Sequence, residues 1–150
     1  MIFMKIHNKK VLLDSNILIF SSNILSTKYK IAKQLRELAK NNEFRAYITH
    51  QNINETLRVL THKNYVSPFT LTNALKQIDS FIKITAVISP NSDTLQVFLN
   101  LAKEYKITSN QIYDAYLVAT AITNDIRTIA TDNEKDFKKY KEIKVYNPFK

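Results

Sequence analysis

Residues 10–20, KVLLDSNILIF, hold the key to the architecture. Val11, Leu12 and Leu13 form a short apolar run that reads as a β-strand. Asp14 follows at once, then Ser15 and Asn16, and then apolar residues resume. A carboxylate flanked by apolar runs on both sides costs free energy unless something pairs with it. In an open parallel sheet, ligands bind beyond the carboxyl ends of the strands. Asp14 stands at such an end.

The pattern recurs along the chain. FRAYIT (44–49), ITAVIS (84–89), IRTIAT (126–131) and IKVY (143–146) also read as strands, the second of them ended by Pro90. Between them lie helical patterns. TKYKIAKQLRELAK (27–40) places Ile31, Leu35 and Leu38 on one face. INETLRVLT (53–61) does the same with Ile53, Leu57 and Leu60. TLTNALKQIDSFIK (70–83) and SDTLQVFLNLAKEY (92–105), the latter opened by Ser92, continue the series. NQIYDAYLVATAITN (110–124) is apolar nearly all round, which predicts a buried helix. Strands separated by helices indicate βαβ units, hence an α/β fold with a parallel sheet covered on both faces.

The chain has 150 residues and shows no linker, repeat or low-complexity tract, so residues 1–150 read as one domain. A domain of this length buries roughly 68–70 % of its unfolded surface and builds a core without staples. The sequence contains no Cys, which excludes disulfides, thiolate metal sites and a Cys nucleophile. It also contains no Gly, which excludes the P-loop and the dinucleotide fingerprint. Turns with positive φ must then fall to the 15 Asn or to Asp. The N-terminal MIFMKIHNKK carries too short an apolar run for a signal peptide, and no stretch approaches a membrane span, so a cytoplasmic protein without a membrane partner is expected.

Lys and Arg number 22 against 13 Asp and Glu, a net charge of +9. Nucleic acid is the leading partner for such an excess and an anionic membrane the second, with simple solubility as the competing explanation. Four of the 22 are Arg, so lysine contact with phosphates fits better than readout of DNA base edges. KDFKKYKEIK (135–144) concentrates five lysines, among them Lys135, Lys138, Lys139 and Lys141. That cluster reads either as a track for nucleic-acid phosphates or as a solvated face.

Four acids from four segments fall where one rim of the sheet gathers its strand ends. Asp14 ends the first strand, Asp132 ends IRTIAT, Glu55 lies one turn into the helix after FRAYIT, and Asp114 lies in the first turns of the buried helix. Each has a purely structural explanation as well. Asn52 and Glu55 match a capping pattern, with Asn52 as the cap and Glu55 reaching back. Asp114 suits a helix dipole, Asp132-Asn133 suits a turn, and Asp14 suits the cap of a short helix. Together these explanations weaken. Carboxylates gathered at one rim repel unless a cation sits among them. Oxygen-only ligands suit Mg²⁺ or Mn²⁺.

These residues carry a resemblance. VLLDSNILIF, then Glu55, then IYDAYLVATAI, then TIATDNEKDF resembles the PIN-domain family, most closely its VapC-type ribonuclease toxins, from Val11 to about Phe149. The resemblance implies a three-layer α/β/α sandwich with a mainly parallel sheet of four or five strands. It implies acidic-site roles for Asp14, Glu55, Asp114 and Asp132, with Asp14, Asp114 and Asp132 as metal ligands. Asn16 would hold the Asp14 carboxylate or a metal-bound water, and Asp136 would be an auxiliary acid. It further implies cleavage of RNA with Mg²⁺ or Mn²⁺, a homodimer, and an antitoxin partner. The chain departs from the pattern in lacking glycine turns. Two rivals stand beside this reading. One is a catalytically idle RNA-binding module, against which the intact acid set argues. The other is an aspartyl-phosphate phosphatase using Asp14, against which Asn16 argues, since such enzymes resemble D-x-D there.

Overall fold

A computed structural model describes residues 3–150. Met1 and Ile2, the start of the N-terminal run considered for a signal peptide, lie outside the described residues. Five strands form one sheet: β1 (Lys10–Leu13), β2 (Arg45–Thr49), β3 (Ala86–Ile88), β4 (Thr128–Ala130) and β5 (Lys144–Tyr146). Their order across the sheet is β3-β2-β1-β4-β5, and every neighbouring pair is parallel. Among the described residues seven α-helices connect them: α1 (Ser15–Ser21), α2 (Tyr29–Lys40), α3 (His50–Thr61), α4 (Leu71–Ile84), α5 (Thr94–Glu104), α6 (Gln111–Thr123) and α7 (Glu134–Phe137).

The period of two along each strand sorts the core into two halves. Val11, Leu13, Ala46, Ile48, Ala130 and Tyr146 point to one face, where they meet residues of α1, α2 and α4 such as Leu18, Leu35 and Phe81. Leu12, Tyr47, Ile129 and Val145 point to the other, against α5, α6 and α7. Both faces are thus covered, which is why the central strands read as continuous apolar runs. In β1, Val11 and Leu12 have no exposed surface at all. Truncating Leu12 to Ala would cost about 2–5 kcal/mol.

Helix α6 is buried along Ala115, Leu117, Val118, Ala119 and Ala121, as its nearly uniform apolarity predicts. Two helix starts differ from the sequence expectation. Helix α3 is capped by Thr49, whose side chain accepts from the Asn52 N–H, while the Asn52 side chain reaches back to the Thr49 N–H. Asn52 is therefore the third residue of the capping box rather than its cap, and Glu55 is released from capping. Helix α5 begins at Thr94 rather than Ser92, because Asn91 turns the chain first by accepting from the Asp93 N–H. Positive φ occurs at Asn8, Asn42 and Asp125, as a glycine-free chain should arrange, but also at Lys106 and Ser109. Among the described residues no helix is long and apolar enough to cross a membrane.

Candidate active site

From β1 the chain builds β2 and β3 on one side and then crosses to β4 and β5 on the other. The strand order reverses between β1 and β4, so a crevice opens beyond their carboxyl ends. Asp14 and Asp132 sit in that crevice. The Asp14 N–H donates to Ala130 O at 3.0 Å, which ties the two strand ends together.

A network of short polar side chains holds Asp14. Its Oδ1 accepts from the Ser15 N–H at 2.8 Å, so Asp14 does cap α1. Its Oδ2 accepts from Thr131 Oγ1 at 2.8 Å and from Asn16 Nδ2 at 3.3 Å. Asn16 thus holds the carboxylate, and its Oδ1 accepts the Asp132 N–H at 3.2 Å. On the other flank, Ser15 Oγ donates to Glu55 Oε2 at 3.0 Å and accepts from Asn52 Nδ2 at 3.2 Å. Ser15, Asn52 and Thr131 are all buried. Buried polar groups persist where they are hydrogen-bonded, and here they fix the rotamers of two acids.

Charge in the crevice is unfavourable without a partner. Burial first, and then the Glu55 and Asp136 charges, push the Asp14 carboxyl up to about 6, against the lowering effect of the Thr131 and Ser15 hydrogen bonds. Asp114, half-buried in the first turn of α6, is pushed up to about 7. Burial is again the main cause, followed by the charges of Asp14, Asp136 and Glu55, with Lys139 opposing them. Asp14, Glu55, Asp114 and Asp136 therefore share one field although they come from four segments.

Asp132 is placed differently. Its carboxylate pairs with the Lys28 ammonium. Asp136, read from the sequence as an auxiliary acid, bears on both Asp14 and Asp114 and raises their carboxyls. Of the four lysines singled out near the C-terminus, Lys139 bears on Asp114, while Lys135, Lys138 and Lys141 are exposed. Sequence reasoning overlooked Lys28, Thr131 and the roles of Ser15 and Asn52. Ser15 and Thr131 lie inside quoted motifs, but their partners are 40 and 117 residues away, so spacing alone carries no signal.

Beside Glu55 and Asp114 opens a cleft of about 940 Å³, lined also by His50, Arg58 and Tyr113. A second cavity, of about 590 Å³, is lined by Lys5, Lys9, Lys144 and Lys150 and lies away from the acids of the crevice. Among the described residues no group of three or more His, Asp or Glu side chains is placed to hold a metal ion. Mg²⁺ does not need one. It keeps several waters and is bound through one or two carboxylates plus substrate phosphates. An oxygen-only rim whose carboxyls resist ionisation fits such an ion, since a divalent charge would relieve their repulsion.

Comparison with known proteins bears on the family and the fold. The profile of one family, the PIN domain, matches residues 11–143. No curated protein matches the chain. Among solved structures, VapBC2 from Rickettsia felis, bound to a DNA fragment from its promoter, superposes with a TM-score of 0.67 at 21% identity, covering 91% of this chain and 96% of that one. VapBC-1 from nontypeable Haemophilus influenzae gives 0.66 at 18% identity, with 94% and 99% covered. VapC20 from Mycobacterium tuberculosis, a sarcin-ricin loop cleaving toxin, gives 0.62 at 14% identity, with 89% and 98% covered. At these identities the likeness concerns the fold.

Proposed function

We propose that this chain, which belongs to the PIN domain family, is a Mg²⁺- or Mn²⁺-dependent endoribonuclease and the toxin of a toxin–antitoxin pair. The observation that carries the reading is the crowding of Asp14, Asp114, Glu55 and Asp136. Two of these carboxyls are held so far above their ordinary range that the rim is poised for a cation. A rim of unpaired negative charge is a poor surface for RNA phosphates unless a metal is part of it.

Asp14 and Asp114 would hold the ion. When bound, it would supply positive charge to the attacked phosphate and acidify a water. Glu55 keeps one oxygen on Ser15, which leaves the other to accept the proton of the attacking water. That water forms a bond to phosphorus while the bond from phosphorus to the departing ribose oxygen breaks. Asn16 and Thr131 keep the Asp14 carboxylate oriented throughout. Tyr113, 64% exposed in the cleft, offers a ring on which an unpaired base can stack, and Arg58 offers charge to the backbone. Single-stranded RNA is accordingly the substrate class.

Position 16 is Asn rather than a second Asp, which disfavours the use of Asp14 as a nucleophile on phosphate. The solved VapBC structures that share the fold support an antitoxin partner for this chain. A homodimer belongs to the same proposal, on the family resemblance. The compartment that fits such a pair is the cytoplasm. The test is cleavage of a mixed panel of structured and single-stranded RNAs by the purified chain. Cleavage with Mg²⁺ or Mn²⁺ that stops in EDTA is expected. Undiminished cleavage in EDTA would overturn the metal mechanism.

A further inference from the structure

Lys28 is held unlike the other lysines. It lies just before α2, in the segment that follows α1, and its ammonium pairs with Asp132. Two rings flank it, Phe20 with its centroid at 5.2 Å and Phe149 at 5.5 Å. The rings themselves meet edge to face, 5.5 Å apart at 85°. The end of α1, the loop before α2 and the C-terminal residues thus build one cradle. A free lysine gives up much rotamer freedom when pinned, and most surface pairs barely repay it. Two aromatic faces plus a carboxylate supply the compensation. The cradle keeps an ammonium at one defined point of the acidic rim.

That point is informative. Among the acids of the rim, Asp132 alone forms an ion pair within the described residues. Asp14, Glu55, Asp114 and Asp136 have hydrogen bonds or mutual repulsion in place of a cationic partner at contact distance. The rim therefore divides into a neutralised corner at Asp132 and a bare, mutually repelling set elsewhere. We infer that Lys28 is the built-in cation of this site. It occupies Asp132 in place of an ion, leaves Asp14 and Asp114 to hold the divalent metal, and limits the site to a single ion. The inference rests on the metal-dependent reading above and sharpens it. A nuclease rim with all its acids free has charge enough for two ions, and here one of those positions belongs to the chain itself. Lys28 is a positioning residue, acting through Asp132.

The experiment counts Mn²⁺ bound at pH 8 without RNA, by the loss of the free-ion EPR signal on titration. The unaltered chain should take up one ion. Asp132→Asn should also take up one, with affinity changed less than threefold, whereas Asp114→Asn should lose it. Lys28→Met should admit a second ion, and Lys28→Arg, which keeps the charge, should not. If Lys28→Met fails to fold, Asp132→Asn still carries the test. Two ions on the unaltered chain, or loss of the single ion in Asp132→Asn, would overturn the role of Lys28 while leaving metal dependence intact. No specific Mn²⁺ uptake by the unaltered chain would overturn the metal reading and this inference with it.

Discussion

Replacing Asp114 with Asn separates a site carboxylate from a helix-dipole partner by the sign of the stability change. Asp114 lies in the first turn of α6, where an ionised acid should stabilise the helix by about 0.3–1 kcal/mol. Its carboxyl nevertheless rises from 3.8 to about 7, driven by burial and then by Asp14, Asp136 and Glu55. At about 1.4 kcal/mol per pH unit that rise corresponds to about 4 kcal/mol of penalty on the ionised folded state. Solvent reaches this half-buried side chain, and screening reduces the figure to about 2 kcal/mol. After the lost dipole contribution, Asp114→Asn should stabilise the metal-free protein by about 1–2 kcal/mol at pH 8. For 150 residues that is a rise in Tm of about 3–6 °C. The sign follows from proton binding. A folded pKa above the unfolded one means that the native state keeps a proton which the unfolded chain has lost. Stability from this group is fully present below 3.8 and is lost as pH rises through about 7. The gain in the variant should therefore vanish near pH 4 and reach its full size by pH 8. The assay is thermal melting in EDTA at several pH values, repeated with Mn²⁺. Added metal should raise the Tm of the parent, because it binds the folded form, and raise that of the variant much less. A variant that melts lower than the parent at pH 8, by the same margin at pH 5, and still shows the full metal shift would refute the placement of Asp114 in the site.

Two further outcomes are expected. Thr131→Val removes a hydrogen bond that lowers the Asp14 carboxyl, so its midpoint should move above about 6 and the metal-free protein should lose about 1 kcal/mol at pH 8; carboxyl ¹³C shifts followed against pH would read the first, and an unmoved midpoint would remove Thr131 from the account. Replacing Lys135, Lys138, Lys139 and Lys141 together with Gln should weaken RNA binding and flatten its dependence on salt, by about 0.7 in log–log slope for each phosphate of a single strand that is no longer neutralised. An unchanged slope would assign these lysines to a solvated face.

Periodicity carries most of the architecture. The alternation of Val11 and Leu13 with Leu12 already contains the two halves of the core, because successive residues of a strand face opposite sides. The apolar girth of α6 already contains its burial. The acids could be found the same way. Asp14, abrupt after a buried strand, and Asp114, opening an apolar helix, stand out against local patterns that do not otherwise tolerate charge. These are short-range facts, and a sequence states them directly.

Where each side chain points is a different kind of fact. Asp132 and Asp136 lie four residues apart on either side of the start of α7, and no local pattern separates them. The fold turns Asp132 toward Lys28, 104 residues earlier in the chain, and leaves Asp136 in the field of Asp14 and Asp114. Asn52 looks like a helix cap until Thr49 takes that place, and only then is its amide free to hold Ser15, and through Ser15, Glu55. The aromatic cradle of Lys28 joins the end of α1 to the C-terminus, so neither ring signals its purpose in its own neighbourhood. The amino-acid sequence thus established the layers, since helix and strand periods are local, and singled out Asp14 and Asp114 as charges out of keeping with their neighbourhoods. The division of the acidic rim into a paired corner at Asp132 and a mutually repelling set elsewhere waited on contacts between distant segments, whose geometry comes into existence only when the sheet closes around β1.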